Sequence, residues 1–154
     1  MIETLDGVDR AILRILQQEG RISYVTLAGR VNLSKSPCIA RVRRLEKMGL
    51  IARYAARLDA RKLGYDYVVF VQVKLSSTTE ETLSAFNAAV RDVAEIQACH
   101  MIAGGFDYLL KVRTKDMASY RRLLGESIAQ LPGVTQTSTF PVMESVKDVA
   151  DLPI

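Results

Sequence analysis

The segment Val31–Gly49, VNLSKSPCIARVRRLEKMG, constrains this chain more than any other stretch. It reads as a tight turn followed by one helix. Asn32 tolerates a left-handed backbone, so it can close a preceding helix. Ser34 or Ser36 can cap the next helix through its side-chain oxygen. Pro37 fits the first turn, best at the first helical position if Ser36 is the cap. Gly49 ends the helix. At 3.6 residues per turn, Cys38, Val42 and Leu45 share one side. Ser36, Ala40, Arg43 and Lys47 share the opposite side, with Arg44 on its flank. A buried stripe thus backs a cationic face with small residues at its front end.

An isolated basic helix is ordinarily a solvated face; what precedes this one changes the reading. Asp6, with Asp9 three residues on, suits the start of a helix whose apolar stripe is Val8, Ala11, Ile12, Ile15 and Leu16. Gly20 stops it. Ser23 caps a shorter helix with Leu27, Ala28 and Val31 on its inner side. Each stripe is too short to be stable alone, so the three helices need a shared core, and the last two form a helix-turn-helix unit. The third helix then fits a DNA major groove, because short side chains permit close approach and Arg can bond a guanine bidentately. Lys35, Ser36, Ala40 and Arg43 are the expected groove-facing residues. Arg41, Arg44 and Lys47 are expected on phosphates, which position a protein without specifying sequence.

Charge agrees with this. The net charge of +4 and pI near 9.2 permit a polyanionic partner without demanding one. The asymmetry says more: Arg41, Arg43, Arg44, Lys47, Arg53, Arg57, Arg61 and Lys62 crowd one part of the chain, while the C-terminal half mixes signs. Cys38 and Cys99 sit in apolar patterns without metal-ligand spacing, which points to buried free thiols and no metal. With no signal-peptide pattern and no membrane-length apolar run, a cytoplasmic home is the simplest expectation. One histidine, no Ser-His-Asp set and no phosphate-cradling glycine loop argue against an enzyme.

Residues 50–58 alternate only in part and read as a short β-hairpin or an extended strand, a wing or a linker. Residues 59–66, with Gly64, read as a connection. The expected division is therefore a helix-turn-helix domain at 1–52, a hairpin or linker at 53–66 and a second domain at 67–154. In that second domain, Tyr67–Leu75 is apolar on much of both faces, as a central strand covered on both sides would be. Ser77 with Glu80, or Thr78 with Glu81, can form a capping box. Leu83, Phe86, Val90 and Val93 mark a helix, and Ile96–Ile102 a strand. Gly104-Gly105 turns the chain into a strand at Tyr108–Arg113. Asp116 caps a helix with Met117, Tyr120, Leu124, Ile128 and Leu131 inside. Pro132-Gly133 precedes a last strand at Val134–Met143, and a polar tail from Glu144 folds back or frays. The order β-α-β-β-α-β is the ferredoxin-like arrangement, so the fold class is α+β. Its helices cover one face of the sheet, and the apolar residues of the other face imply a second copy packed sheet to sheet.

Several of these residues resemble the Lrp/AsnC family of leucine- and asparagine-responsive regulators. Leu33-Ser34-Lys35-Ser36-Pro37-Cys38, then Arg41-Val42-Arg43-Arg44-Leu45-Glu46 and Gly49-Leu50-Ile51, are similar to its DNA-reading segment. Leu5-Asp6 with Asp9 and Gly20-Arg21-Ile22-Ser23 match its first two helices, and Asp59 with Lys62-Leu63-Gly64-Tyr65 its linker. Gly104-Gly105-Phe106-Asp107-Tyr108 is similar to its effector-loop motif. Lys35 departs from it where a second proline is common. The resemblance implies a DNA-binding transcriptional regulator whose dimers assemble into tetramers or octamers, with no cofactor but a small amino-acid effector bound where dimers meet. Within it, Asp107 is suited to an α-ammonium, and the amides near Gly104, Gly105 and Phe106 to a carboxylate. Thr137 and Ser138, with Ala98 and His100, are further candidates for the pocket. An effector-independent, DNA-organising protein is the alternative.

Overall fold

The computed structural model describes residues 5–154. The chain forms two compact units: one runs to Leu58 and includes Lys147–Ile154, and the other is Asp59–Val146. The division falls inside the stretch expected as a linker, and the tail groups with the first unit.

The first unit holds α1 (Gly7–Gln18), α2 (Tyr24–Arg30) and α3 (Lys35–Lys47). Asp6 and Asp9 form a reciprocal box at the start of α1: the Asp9 amide donates to Asp6 Oδ1 at 2.8 Å and the Asp6 amide to Asp9 Oδ2 at 3.3 Å. Ser23 caps α2 by accepting from the Thr26 amide. Asn32 adopts a left-handed backbone, φ 55°, and the Leu33 amide reaches back to the Ala28 carbonyl at 2.9 Å, a Schellman closure. Gly49, φ 73°, ends α3 in the same way, with the Leu50 amide on the Leu45 carbonyl at 3.1 Å. Ser34 occupies the N-cap position of α3, which puts Pro37 third in the helix rather than first. Its oxygen makes no cap bond there, since one of the two amides a cap accepts from belongs to Pro37, which has none.

Ile12, Leu27, Val42, Leu45 and Cys38 close the core of this unit, almost fully buried. Each large apolar side chain so buried contributes about 1.5–3 kcal/mol. Neither a hairpin nor a strand forms at 50–58; the segment runs without ladder pairing, as its broken alternation permits. It is pinned by side chains. The Tyr54 hydroxyl donates to Glu46 Oε1 at 2.9 Å, and burial beside that carboxylate raises its pKa to about 12. The Arg57 guanidinium donates to the Asp148 carbonyl. The tail lies along α1: Gln17 exchanges two hydrogen bonds of 3.0 Å with Leu152, and Arg14 Nε donates to the Ile154 carbonyl at 2.7 Å.

The second unit holds β1 (Tyr67–Leu75), α4 (Glu80–Val90), β2 (Ile96–Met101), β3 (Tyr108–Thr114), α5 (Met117–Glu126) and β4 (Val134–Pro141), with a 3-10 turn at Ile128–Gln130. The antiparallel sheet has the order β2-β3-β1-β4. The cap of α4 is Thr79, whose oxygen accepts from the Thr82 amide, instead of the expected Ser77 or Thr78; Ser77 bonds the Thr82 hydroxyl. Asp116 caps α5 as expected, at 2.7 Å from the Ser119 amide. Met117, expected inside, is exposed at the start of the helix, where its sulfur accepts from the Tyr67 hydroxyl at 3.0 Å. Val69, Val71, Val73 and Leu75 of β1 pack with Leu110, Val112, Phe86, Tyr120 and Ile128 into one core. The Phe86 and Tyr108 rings lie 4.4 Å apart, tilted. β1 is central but covered within the chain on one face only. Its even-numbered residues, from Val68 to Lys74, lie on the open face, where Phe70 and Phe140 are cross-strand partners, 36% and 48% exposed.

Candidate functional site

Two places in the molecule carry functional chemistry. The first is α3. Lys35, Ser36, Ala40, Arg43 and Lys47 are all exposed, and none of these side chains makes a hydrogen bond or ion pair with the described residues. Ser36, Ala40, Arg43 and Lys47 share one face because the apolar stripe Cys38, Val42 and Leu45 turns the other toward the core, and Lys35 stands at the start of the helix.

Arg41 and Arg44 stand apart from that set. Arg41 Nη1 donates to Asp6 Oδ2 at 2.6 Å and to Asp9 Oδ1 at 2.8 Å, and Arg44 Nη2 to Asp9 Oδ2 at 2.5 Å. The Asp9 side chain is 1% exposed, so its charge requires these partners. Burial pushes its carboxyl upward, but hydrogen bonds from Arg44, Arg41 and the Asp6 amide outweigh burial and hold it below the usual range. Both arginines, expected on phosphates, therefore clamp α3 onto the start of α1. Each arginine gives Asp9 one charge-assisted bond, so its two oxygens are met by two different side chains. The sequence shows the basic run but not the carboxylate that α1 brings beneath it.

The second place is the open sheet face under the turn between β2 and β3. A hollow of about 240 Å³ is lined by Gln72, Lys74, Gly105, Phe106, Gln136 and Ser138. Register builds it: Gln72 lies opposite Ser138, and Lys74 opposite Gln136. Of the expected residues, Gly105, Phe106 and Ser138 line it, whereas Gly104, Asp107 and Thr137 do not. Thr137 pairs with Val73, whose side chain is in the helix-side core, so the two-residue alternation of a strand turns it to the opposite face from Ser138. Ala98 and His100 belong to β2, separated from β1 by β3.

Asp107 fastens the loop. Its Oδ2 accepts from the Leu75 amide at 2.7 Å, its amide donates to the Val73 carbonyl at 3.0 Å, and its carbonyl accepts from Ile102 at 2.8 Å. The carboxylate thus stands in for a ladder partner where the register of β1 shifts between Lys74 and Leu75. One of its oxygens is committed to folding.

The glycines beside it behave differently. Neither Gly104 nor Gly105 has a positive φ, and a Cβ would meet nothing closer than 3.8 Å at Gly104 and nothing within 4 Å at Gly105. Their amides and that of Phe106 make no hydrogen bond with the described residues. The fold itself does not require glycine there; bare backbone is left facing outward. Gln72, Lys74 and Gln136 escaped the sequence reading because β1 looked doubly covered and strand register is not written in a single strand.

A helix-turn-helix unit with an unpaired basic front, joined in one chain to an α+β unit with a polar hollow, defines a class: DNA-binding regulators with a built-in small-molecule domain. Comparison with known proteins identifies which. Residues 5–52 match the family model for winged helix-turn-helix DNA-binding domains, and residues 68–152 match the Lrp/AsnC ligand binding domain. Over 146 residues the chain is 53% identical to the proline dehydrogenase transcriptional activator of Rhizobium radiobacter, covering 95% of this chain and 94% of that protein. Over 143 residues it is 50% identical to the leucine-responsive regulatory protein of Escherichia coli K12, covering 93% and 87%. The structure of a Neisseria meningitidis transcriptional regulator in complex with L-Met matches with a TM-score of 0.92 at 32% identity, covering 97% of both chains. The chain belongs to the Lrp/AsnC family of transcriptional regulators. No helix among the described residues is long and apolar enough to cross a membrane.

Proposed function

We propose that this cytoplasmic, non-enzymatic regulator binds operator DNA through α3 and is modulated by a small amino acid held at the turn between β2 and β3. In this reading Lys35, Ser36, Ala40 and Arg43 enter the major groove and Lys47 meets phosphate. Arg41 and Arg44 set the helix in position from its flank. The helical domain at 1–52 and the linker at 53–66 carry DNA binding, and 67–154 carries effector binding and oligomerisation. Two chains pack through the open faces of their sheets, where Phe70 and Phe140 are exposed within the chain and Leu109 is half-buried. Dimers assemble further, and the effector sits where they meet.

The observation that carries the effector reading is the bare Gly104-Gly105-Phe106 backbone over a polar hollow. Unpaired amides in a turn suit a carboxylate, and the free oxygen of Asp107 is near enough in sequence to serve an ammonium. A ligand shifts an assembly only if it binds one state better than another. A site shared between dimers meets that condition, because occupancy changes how they dock and hence which paired half-sites the recognition helices reach together.

The test is a thermal-shift panel of the twenty amino acids on the full chain, since a ligand of the native state raises its melting temperature. Sedimentation velocity and operator titration with the best hit follow. At least one amino acid is expected to raise the midpoint and to change both the sedimentation profile and the operator affinity. A flat panel with intact DNA binding would instead support an effector-independent DNA-organising protein.

A further inference from the structure

We infer that Arg53 is a further DNA contact, a phosphate-binding residue that Tyr54 positions beside the C-terminal end of α3. The inference rests on the proposed DNA reading and adds to it a residue outside the recognition helix. Of the eight cations crowded between Arg41 and Lys62, five are engaged by the chain itself. Arg41 and Arg44 close onto Asp6 and Asp9, and Arg57 donates to the Asp148 carbonyl. In the second unit Arg61 Nε lies 3.0 Å from Asp66 Oδ2, and Lys62 Nζ lies 3.9 Å from Asp59 Oδ2. Arg43, Lys47 and Arg53 remain, all exposed and without a hydrogen bond or ion pair among the described residues. Two of these three stand on the front of α3, and Arg53 follows the second of them in the next stretch of chain.

Its backbone has a fixed seat. The neighbouring Tyr54 hydroxyl donates at 2.9 Å to Glu46 Oε1, on the residue just before Lys47. The Tyr54 ring also lies against the turn after α1, where a Cβ on Gly20 would meet Tyr54 Cδ1 at 3.6 Å. The segment that carries Arg53 is thus held to the end of α3, and little of its freedom is left to lose on binding. α3 has 13 residues and is about 20 Å long, whereas the major groove is about 12 Å wide. With its N-terminal residues on base edges, its far end emerges at the phosphates that border the groove. Lys47 meets them from the helix, and Arg53 extends that contact along the backbone. An unpaired cation gains the full phosphate interaction and releases a counterion. A cation with a carboxylate beside it gains less, because that carboxylate repels the same phosphate.

The experiment is a fluorescence-anisotropy titration of the full chain on an operator selected from random duplexes and on a scrambled duplex, across a salt series. Wild type is compared with Arg53→Ala, Arg53→Lys, Arg61→Ala, Tyr54→Phe and the double variant of Arg53→Ala with Tyr54→Phe. Unaltered melting temperatures verify folding, and Arg53→Gln serves if Arg53→Ala is unstable. Arg53→Ala is expected to weaken both duplexes alike, by about three- to tenfold at ~0.1 M salt, and to flatten the slope of log affinity against log salt by about one per bound chain. Arg53→Lys should keep most of the affinity and the slope, because a phosphate needs the charge more than the fork. Arg61→Ala should change neither. Tyr54→Phe should lose about two- to threefold, and nothing further in the Arg53→Ala background, as a residue that acts through Arg53 would. Unchanged affinity and slope in Arg53→Ala overturn the inference, and a loss by Arg43→Ala on the same operator then leaves the recognition helix standing. A loss confined to the operator overturns it too, since a phosphate contact carries no sequence information. So does an equal loss in Arg61→Ala, which would deny the pairing any role. A further loss from Tyr54→Phe in the Arg53→Ala background overturns the positioning role. Wild type that binds neither duplex in a salt-dependent way removes the DNA reading itself.

Discussion

In the helical unit Arg41 and Arg44 of α3 close onto Asp9, at 2.8 and 2.5 Å, and are taken up by folding. In the sheet unit Lys74, Gln72 and Gln136 line a hollow with no side-chain partner among the described residues. Both places look alike in sequence, polar residues flanking an apolar pattern. The difference lies in what another element brings to them. A buried carboxylate under a basic run turns part of that run into a clamp. A strand edge with no such partner leaves its polar groups for something outside the chain. Within α3 the same contrast separates Arg41 and Arg44 from Arg43, on one helix and three residues or fewer apart.

The sharpest way to break the comparison is at Asp9. Removing one partner of a fully buried pair costs about 3–5 kcal/mol, and because both arginines keep some water contact Asp9→Ala should lose about 2–3 kcal/mol by denaturant unfolding of the full chain. Operator affinity should fall with it as α3 loses its seat. A loss below about 0.5 kcal/mol would mean that the clamp contributes nothing.

Glycines offer a second contrast. Gly133 has φ 76°, and a Cβ there would lie 2.7 Å from Thr82 Cγ2. Gly133→Ala should therefore cost about 2 kcal/mol from left-handed strain and crowding together. Gly105→Ala should change stability by less than about 0.5 kcal/mol yet weaken the amino-acid response, because open space is all its methyl meets within the chain. Equal melting temperatures for the two variants would remove the distinction between a glycine needed by the fold and one left for a ligand.

The smallest effect is on pH dependence. The Asp9 carboxyl is held below its ordinary value of 3.8. A group with a depressed folded pKa contributes stability above its unfolded value and loses that contribution as pH falls through the folded one. The stability gap between wild type and Asp9→Asn should thus be full at about pH 6 and close as pH drops below about 4. A gap that persists at about pH 2 would assign Asp9 a role other than ion pairing.

Much of the fold was legible because its signals are local. Asp6 and Asp9, Ser23, Asn32, Gly49 and Asp116 act within a turn of themselves, and each does what its side chain or backbone freedom suggests. The element order followed from periodicity. Illegible were features set by partners far along the chain. The clamp on Asp9 joins residues 32 and 35 positions apart, and the Asp107–Leu75 bond also spans 32. Thr137 and Ser138 could not be told apart without the register of β4 on β1, since a one-residue slip exchanges the two faces. Lys74 was hidden for the same reason. Neither the hairpin nor the extended strand expected as alternatives at 50–58 forms, because partial alternation does not supply the strand that would pair with the segment.

The central claim is that the exposed front of α3 reads DNA while Arg41 and Arg44 hold it from the flank. The most direct measurement is a fluorescence titration of Arg43→Ala on an operator recovered by selection from random duplexes, alongside scrambled duplex at matched salt. The account predicts a loss of about 1–3 kcal/mol on the operator, little change on scrambled DNA and an unaltered melting temperature. Unchanged operator affinity in Arg43→Ala would contradict it.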